Sequence, residues 1–314
     1  MIDFARDPLP VPPLVFHDWA WAQSARLSKL TANARKPDER TTDSALGFLA
    51  HHRHRRFFLW VQYFGASPLG SLEGPVLLSP DRYAERVREL DRELERLLDG
   101  IARLGVDENL WLFVYGDAGF ALFEHGEHGV GASLYEPSVR VPLIVVPPRY
   151  LRSALGPRHI DTPVSLLDLA PTVAELLRLP VKVPWPFTGF AKLLRESPEG
   201  LDPERVIPLE NYWTATTAAS KEVRTAEGRS LRVGVQMRGV RKGRWKYLVR
   251  ERSPLVDARL PLPEPAQVPA EEPREELYDI AADPMERLNL AATKPEQCVA
   301  LRRYLPPVAA TQEQ

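Results

Sequence analysis

From Asp81 onward, apolar residues recur at intervals of three and four. In DRYAERVRELDRELERLLDGIARLG, the residues Val87, Leu90, Leu94, Leu97, Leu98, Ile101 and Leu104 share one face. That spacing predicts an amphipathic helix over 81–104, with Gly105 as its C-terminal stop. Three other stretches lack this period. FFLWVQYF (57–64), the block 110–115 and VPLIVV (141–146) are continuous apolar runs rich in aromatic and β-branched residues, which is how strands buried on both faces read. The first, closed by GASPLG, is expected to be a central parallel strand. VSLLDLAPTVAELLRL then returns to a helical pattern. This order of strand, helix, strand, strand, helix with short links predicts an α/β fold, a layered and mainly parallel sheet flanked by helices.

The pattern changes after about residue 200. VIPLENY reads as a short strand, and LRVGVQMRGVRKGRWKYLVRER alternates around Lys242-Gly243, the mark of an antiparallel hairpin. The proline-rich SPLVDARLPLPEPAQVPAEEP reads as a surface loop leading into EELYDIAADPMERLNLA. Ahead of the first strand, a proline-rich lead and the modest helical pattern AWAQSARLSKLTANARK precede a polar spacer. The expected organisation is a lead segment over 1–56, an α/β domain over 57–202, and a C-terminal α+β subdomain with antiparallel strands over 203–314.

Composition narrows the function classes. The chain has 314 residues, 44% hydrophobic and 26% charged, which excludes wholesale disorder. Forty-one basic residues against 42 acidic ones leave a net charge of −1, so no global field recruits nucleic acid or an anionic membrane. No run reaches the 18 or so apolar residues of a membrane span and no secretory leader is visible, so the chain as written is expected to be cytoplasmic. Cys298 is the only cysteine, which rules out an internal disulfide. His51-His52-Arg53-His54-Arg55-Arg56 reads as a solvated connection that keeps the following apolar run soluble. The basic residues of the hairpin, Arg238, Arg241, Lys242, Arg244, Lys246 and Arg250, read as an ordinary exposed sheet.

The candidate chemistry lies in VYGDAGFALFEHGEHGVGASLYE (114–136). In open parallel sheets ligands gather at the carboxyl ends of strands, and Asp117 directly follows such a strand, well placed to bind a hard cation. One carboxylate is not a site, because calcium or magnesium takes about six oxygen ligands. Glu124, His125 and His128 form the rim of the same glycine-rich loop, and His125 and His128 have a spacing that could also serve zinc or manganese.

These residues resemble the sulfatase family of the alkaline-phosphatase superfamily. Asp117 and Gly119, Glu124-His125-Gly126, Gly129, Gly131 and Ser133-Leu134-Tyr135-Glu136 follow the family pattern. So do FFLWVQYF, Tyr83 and Asp91, RVPLIV (140–145), Asp168-Leu169-Ala170-Pro171-Thr172, Arg244-Trp245-Lys246-Tyr247, Glu276-Leu277-Tyr278-Asp279, Asp283-Pro284 and Glu286. The resemblance implies hydrolysis of sulfate esters, or of phosphate esters in some branches. There a formylglycine or hydroxyl nucleophile attacks while a divalent cation (calcium, magnesium or manganese) and cationic side chains hold the anionic ester.

Three positions depart from the pattern. Ala118 stands where the family has a histidine or asparagine beside the metal-binding aspartate. Val130 stands where a histidine or lysine contacts the ester, and Ser67 where the strand leads to Asp-Pro-His. Each loss removes a donor or ligand aimed at the transferring group, worth several kcal/mol of transition-state stabilisation, on the order of an oxyanion-hole contact. The family's nucleophile and two further metal-binding aspartates are not found in 1–56. Cys298-Val299-Ala300-Leu301-Arg302 matches the Cys-x-Pro/Ala-x-Arg nucleophile pattern only superficially, after the C-terminal subdomain. The expectation is a truncated sulfatase or a pseudosulfatase, catalytically inactive, with no intact catalytic residue and Asp117 as the remaining metal candidate. The alternatives are an active metal-dependent ester hydrolase with an altered site around Asp117, His125 and His128, and a binding module that takes an anionic ester in the remnant cleft.

Overall fold

The computed structural model describes residues 37–66, 79–126, 128–130, 133–179, 187–195, 201–211, 221–224, 230–233, 235–252 and 275–306. Ser67, the helical pattern AWAQSARLSKLTANARK and the proline-rich 253–273 lie outside the described residues. The fold is mixed α/β, and the chain divides into two compact units built from interleaved segments. One comprises 1–113, 145–158 and 173–188, the other 114–144, 159–172 and 189–314.

In the first unit, α1 (Pro37–His52) packs against α2 (Pro80–Arg103). Ser79 caps α2 by accepting from the Arg82 amide, and Pro80 opens its first turn. The predicted stripe of α2 buries Leu97 and Ile101 against Ala45 and Leu49 of α1, with Val106 completing the cluster. Residues 37–52, within the expected lead segment, are helical, because Ala45 and Leu49 sit four apart on a face that α2 covers. His51 and His52 form its last turn and Arg53–Arg56 are exposed, as a solvated connection should be.

The run FFLWVQYF differs from its expected form. It is extended but carries no ladder partner among the described residues, and its burial alternates. Phe57, Leu59 and Val61 pack on the α1/α2 core, whereas Phe58 and Trp60 are 70% and 58% exposed. Among the described residues, helices cover only one side of this continuous apolar run. A buried polar knot secures its end: the Thr42 hydroxyl lies 2.7 Å from Glu93 Oε2 and 3.1 Å from the Tyr63 hydroxyl, and the Phe64 amide donates to Asp38 Oδ1 at 3.1 Å.

The block 110–115 forms strand β1 (Leu112–Tyr115). It is followed by the hairpin strands β2 (Phe120–Leu122) and β3 (His128–Val130), the short α3 (Glu136–Val139) and β4 (Leu143–Val146). β4 pairs with β1, while β2 and β3 pair antiparallel with Phe120 opposite Val130. The helices α4 (Arg149–Leu155), α5 (Leu169–Leu177) and α6 (Ala191–Arg195) follow. Ser165 and Asp168 form a reciprocal capping box ahead of α5.

In the second unit, β5 (Val206–Asn211), β8 (Val235–Lys242), β9 (Trp245–Arg252) and β10 (Glu275–Asp279) make one antiparallel sheet in the order β10-β9-β8-β5, with β6 (Lys221–Arg224) and β7 (Ser230–Val233) as a separate pair. The predicted turn sits where expected. Lys242 pairs with Trp245 across Gly243, whose φ of 54° is the left-handed conformation that glycine adopts without a Cβ penalty. The sheet is covered on both faces. Val240, Tyr247 and Leu277 pack on Cys298 and Leu301 of α7 (Pro295–Arg302). Met237, Leu248, Tyr278 and Ile280 pack on Leu134 and Tyr135.

Candidate functional site

Strand β1 runs into a tight bend at Asp117-Ala118. The bend is held at both feet: the Gly116 amide donates to Pro142 O at 3.1 Å and the Gly119 amide to Ser138 O at 2.9 Å. Gly119 has to be a glycine, because a Cβ there would lie 2.0 Å from the Pro137 carbonyl oxygen. The bend is therefore pressed onto α3, and Asp117 and Ala118 are presented to solvent at its tip. Burial raises the pKa of the half-buried Tyr115 phenol, and the Asp117 charge adds to that rise.

Two of the rim residues, Glu124 and His125, are occupied with shaping the loop. The Glu124 carboxylate accepts from the Leu122 amide two residues back. His125, at a left-handed φ of 53°, stacks on the Tyr135 ring with centroids 3.8 Å apart and donates from Nε2 to Met285 O at 3.2 Å. Its imidazole is thus directed at a carbonyl. The His128 backbone pairs with Leu122 in the β2–β3 hairpin, and Val130, at the end of that hairpin, is 39% exposed.

A divalent cation needs several charged oxygens converging on one point. Among the described residues the loop offers one exposed carboxylate, Asp117, beside a methyl group. Among the described residues no group of three or more His, Cys, Asp or Glu side chains is placed to hold an ion. The described donor set does not fit calcium, magnesium or manganese. Cys298 is buried in α7, its Sγ 3.9 Å from Ala291 O, and burial pushes the thiol pKa up. A protonated thiol in an apolar cluster is a core residue, not a nucleophile.

The polar chemistry in this unit lies elsewhere, at positions whose sequence pattern reads as an exposed sheet. Lys246 is fully buried. Its ammonium donates to Glu136 Oε1 at 3.0 Å and forms an ion pair with Glu286 Oε1 at 2.7 Å, while Glu286 Oε2 accepts from the Glu136 amide at 2.7 Å. Burial raises the Glu286 pKa and Lys246 opposes that rise. Glu286 also sits at a left-handed φ of 54°, a conformation that costs a non-glycine residue about 1 kcal/mol or more and persists only when its surroundings fix it.

A second network lies on the same sheet face. Glu276 accepts from the Tyr135 and Tyr278 hydroxyls, each at 2.8 Å, and from Arg250 Nε at 3.0 Å. Burial, and then the Glu276 charge, hold both phenols far above their ordinary pKa. The Ser-Leu-Tyr-Glu and Arg-Trp-Lys-Tyr motifs meet here as the ionic seam of the C-terminal sheet. A third pair, Arg205 and the fully buried Asp168, joins the α5 capping box to the start of β5 at 2.9 Å.

A model of the sulfatase family matches residues 16–179. The chain is 26% identical over 211 residues to a choline-sulfatase of Rhizobium meliloti, covering 67% of this chain and 32% of that protein. It is 24% identical over 223 residues to arylsulfatase K of Bos taurus, covering 71% and 35%. Among solved structures, a putative sulfatase from Bacteroides fragilis aligns with a TM-score of 0.57 at 17% identity, over 85% of this chain and 57% of that one. The chain thus spans about a third of the length of these curated relatives.

Proposed function

Since the chain belongs to the sulfatase family, we propose that these 314 residues retain the sulfatase frame but do not hydrolyse sulfate or phosphate esters: a pseudosulfatase. The observation that carries this reading is the pair Ala118 and Val130. Both are exposed on the loop that follows β1. At this strand end Ala118 puts a methyl group where the resemblance implies a metal-ligating imidazole or carboxamide, and Val130 an isopropyl group where it implies an imidazole or ammonium that contacts the ester. The methyl cannot ligate a cation, and the isopropyl cannot donate to a developing negative charge, a contact worth about 3 kcal/mol in ester hydrolysis.

The buried ionic seam supports a scaffold role from the other side. Residues that keep the family pattern, Glu136, Lys246, Glu276, Tyr278 and Glu286, are engaged with one another, and their retention follows from folding. Whatever the choline-sulfatase and the arylsulfatase act on belongs to those proteins. The test is turnover of 4-nitrophenyl sulfate and 4-nitrophenyl phosphate with calcium, magnesium or manganese added. The expected result is no release above that of Asp117→Ala. Release that Asp117→Ala abolishes would overturn the reading in favour of an active hydrolase with an altered site.

A further inference from the structure

Glu286 and Glu136 share one cation. The fully buried Lys246 ammonium lies 2.7 Å from Glu286 Oε1 and 3.0 Å from Glu136 Oε1, with the Glu286 side chain fully buried as well and that of Glu136 11% exposed. Two carboxylates against one ammonium leave an excess negative charge held out of water. In such a site one of the two carboxylates favours its protonated form.

The other charged and titratable groups around Glu286 leave this excess in place. On β9, Arg250 is engaged by Glu276 of β10 at 3.0 Å, and Glu276 also accepts from the Tyr135 and Tyr278 hydroxyls. On β8, Arg241 stands opposite Lys246 in the ladder, and among the described residues it forms no ion pair with either carboxylate. In the turn itself, His125 bonds Met285 O, Asp283 accepts from the Leu288 amide, and Arg287 is exposed. Burial accordingly holds the Glu286 carboxyl above its ordinary range, with Lys246 opposing the rise and the Glu136 charge adding to it.

We propose that the seam is a pH-sensitive clamp, in which Glu286 takes up a proton on mild acidification and fastens residues 117–139 more tightly to the C-terminal sheet. Glu286 Oε2 accepts from the Glu136 amide at 2.7 Å, at the first residue of α3, and Ser138 O of the same helix accepts from the Gly119 amide at the foot of the Asp117 bend. A neutral carboxyl keeps its carbonyl oxygen for the Glu136 amide, so the tie survives while the excess charge is removed. With the segment released, Glu286 returns toward the ordinary 4.5, below its value in the docked form. Between those two values the docked form holds a proton that the released form lacks, so docking strengthens as pH falls from neutral toward 4.5.

Hydrogen exchange of the full chain at about pH 7.5 and about pH 5.5, read by mass spectrometry and corrected for intrinsic rates, is the test. In the wild type, protection over 117–139 should rise on acidification, by up to about tenfold for each pH unit inside that window, while protection of α2 stays unchanged. Glu286→Gln should abolish the rise. Glu136→Gln, which removes the excess charge and keeps the Lys246–Glu286 pair, should shrink it, and it decides the matter alone if Glu286→Gln fails to fold. A wild type that gains no protection, a gain that either variant retains in full, or a gain shared by α2 would each overturn the proposal. The readout is exchange alone, so it stands or falls separately from the question of turnover.

Discussion

Lys246→Met is expected to lower the stability of the C-terminal sheet by roughly 3–5 kcal/mol, the cost of removing one partner from a fully buried ion pair. Shape is not the issue, because methionine fills nearly the same space. The loss leaves Glu286, with a fully buried side chain, and Glu136, 11% exposed, without their shared cation. Urea unfolding followed by circular dichroism checks the size of the effect.

The variant should also acquire a distinctive pH dependence. Burial already raises the Glu286 pKa, and Lys246 is what opposes the rise. Without it the folded-state pKa climbs further above the ordinary 4.5. Between those two values the folded form binds a proton that the unfolded chain does not, so stability must rise as pH falls from neutral toward 4.5. Lys246→Met should therefore gain melting temperature on mild acidification more steeply than the wild type. Adding Glu286→Leu should recover part of the loss at neutral pH, because an uncompensated buried charge is then removed.

Gly119→Ala is the second large effect, at about 3 kcal/mol, the upper end for forcing an extra carbon into a packed site. The added Cβ would sit 2.0 Å from the Pro137 carbonyl oxygen and 2.8 Å from its carbon. Both are backbone atoms, so no side chain can swing aside. Relief requires the bend to lift off α3, which breaks the Gly119–Ser138 hydrogen bond and releases Asp117. Ala118→Gly, at the exposed tip beside it, should change stability by less than about 1 kcal/mol, as exposed loop substitutions do. Thermal melts of the two variants side by side measure the contrast.

The elements that the sequence shows best are those whose pattern depends on local periodicity. The α2 stripe, the Lys242-Gly243 turn and the strand ending at Asp117 all fall where the spacing of apolar residues and glycines puts them. FFLWVQYF departs from its expected burial because an apolar run says nothing about how many faces find a partner. The helix α1 is hidden in the sequence because its apolar positions, Ala45, Leu46, Phe48 and Leu49, are confined to its second half, after the polar PDERTTDS. The ionic seam leaves no local signal at all. Lys246 and Arg250 alternate with Tyr247 and Val249 as outward residues of a hairpin do, and their carboxylates arrive from Glu136, Glu276 and Glu286, up to about 110 residues distant in sequence. Only the coincidence of Lys246, Glu136 and Glu286 with family motifs hints at a shared role.

Among the described residues Asp117 stands without ligand neighbours at the tip of its bend, and calcium titration calorimetry addresses that isolation most directly. Wild type and Asp117→Ala should give the same non-saturating heats, since one exposed carboxylate supplies far fewer oxygens than the ion requires. A saturable calcium isotherm in the wild type that disappears in Asp117→Ala would contradict it.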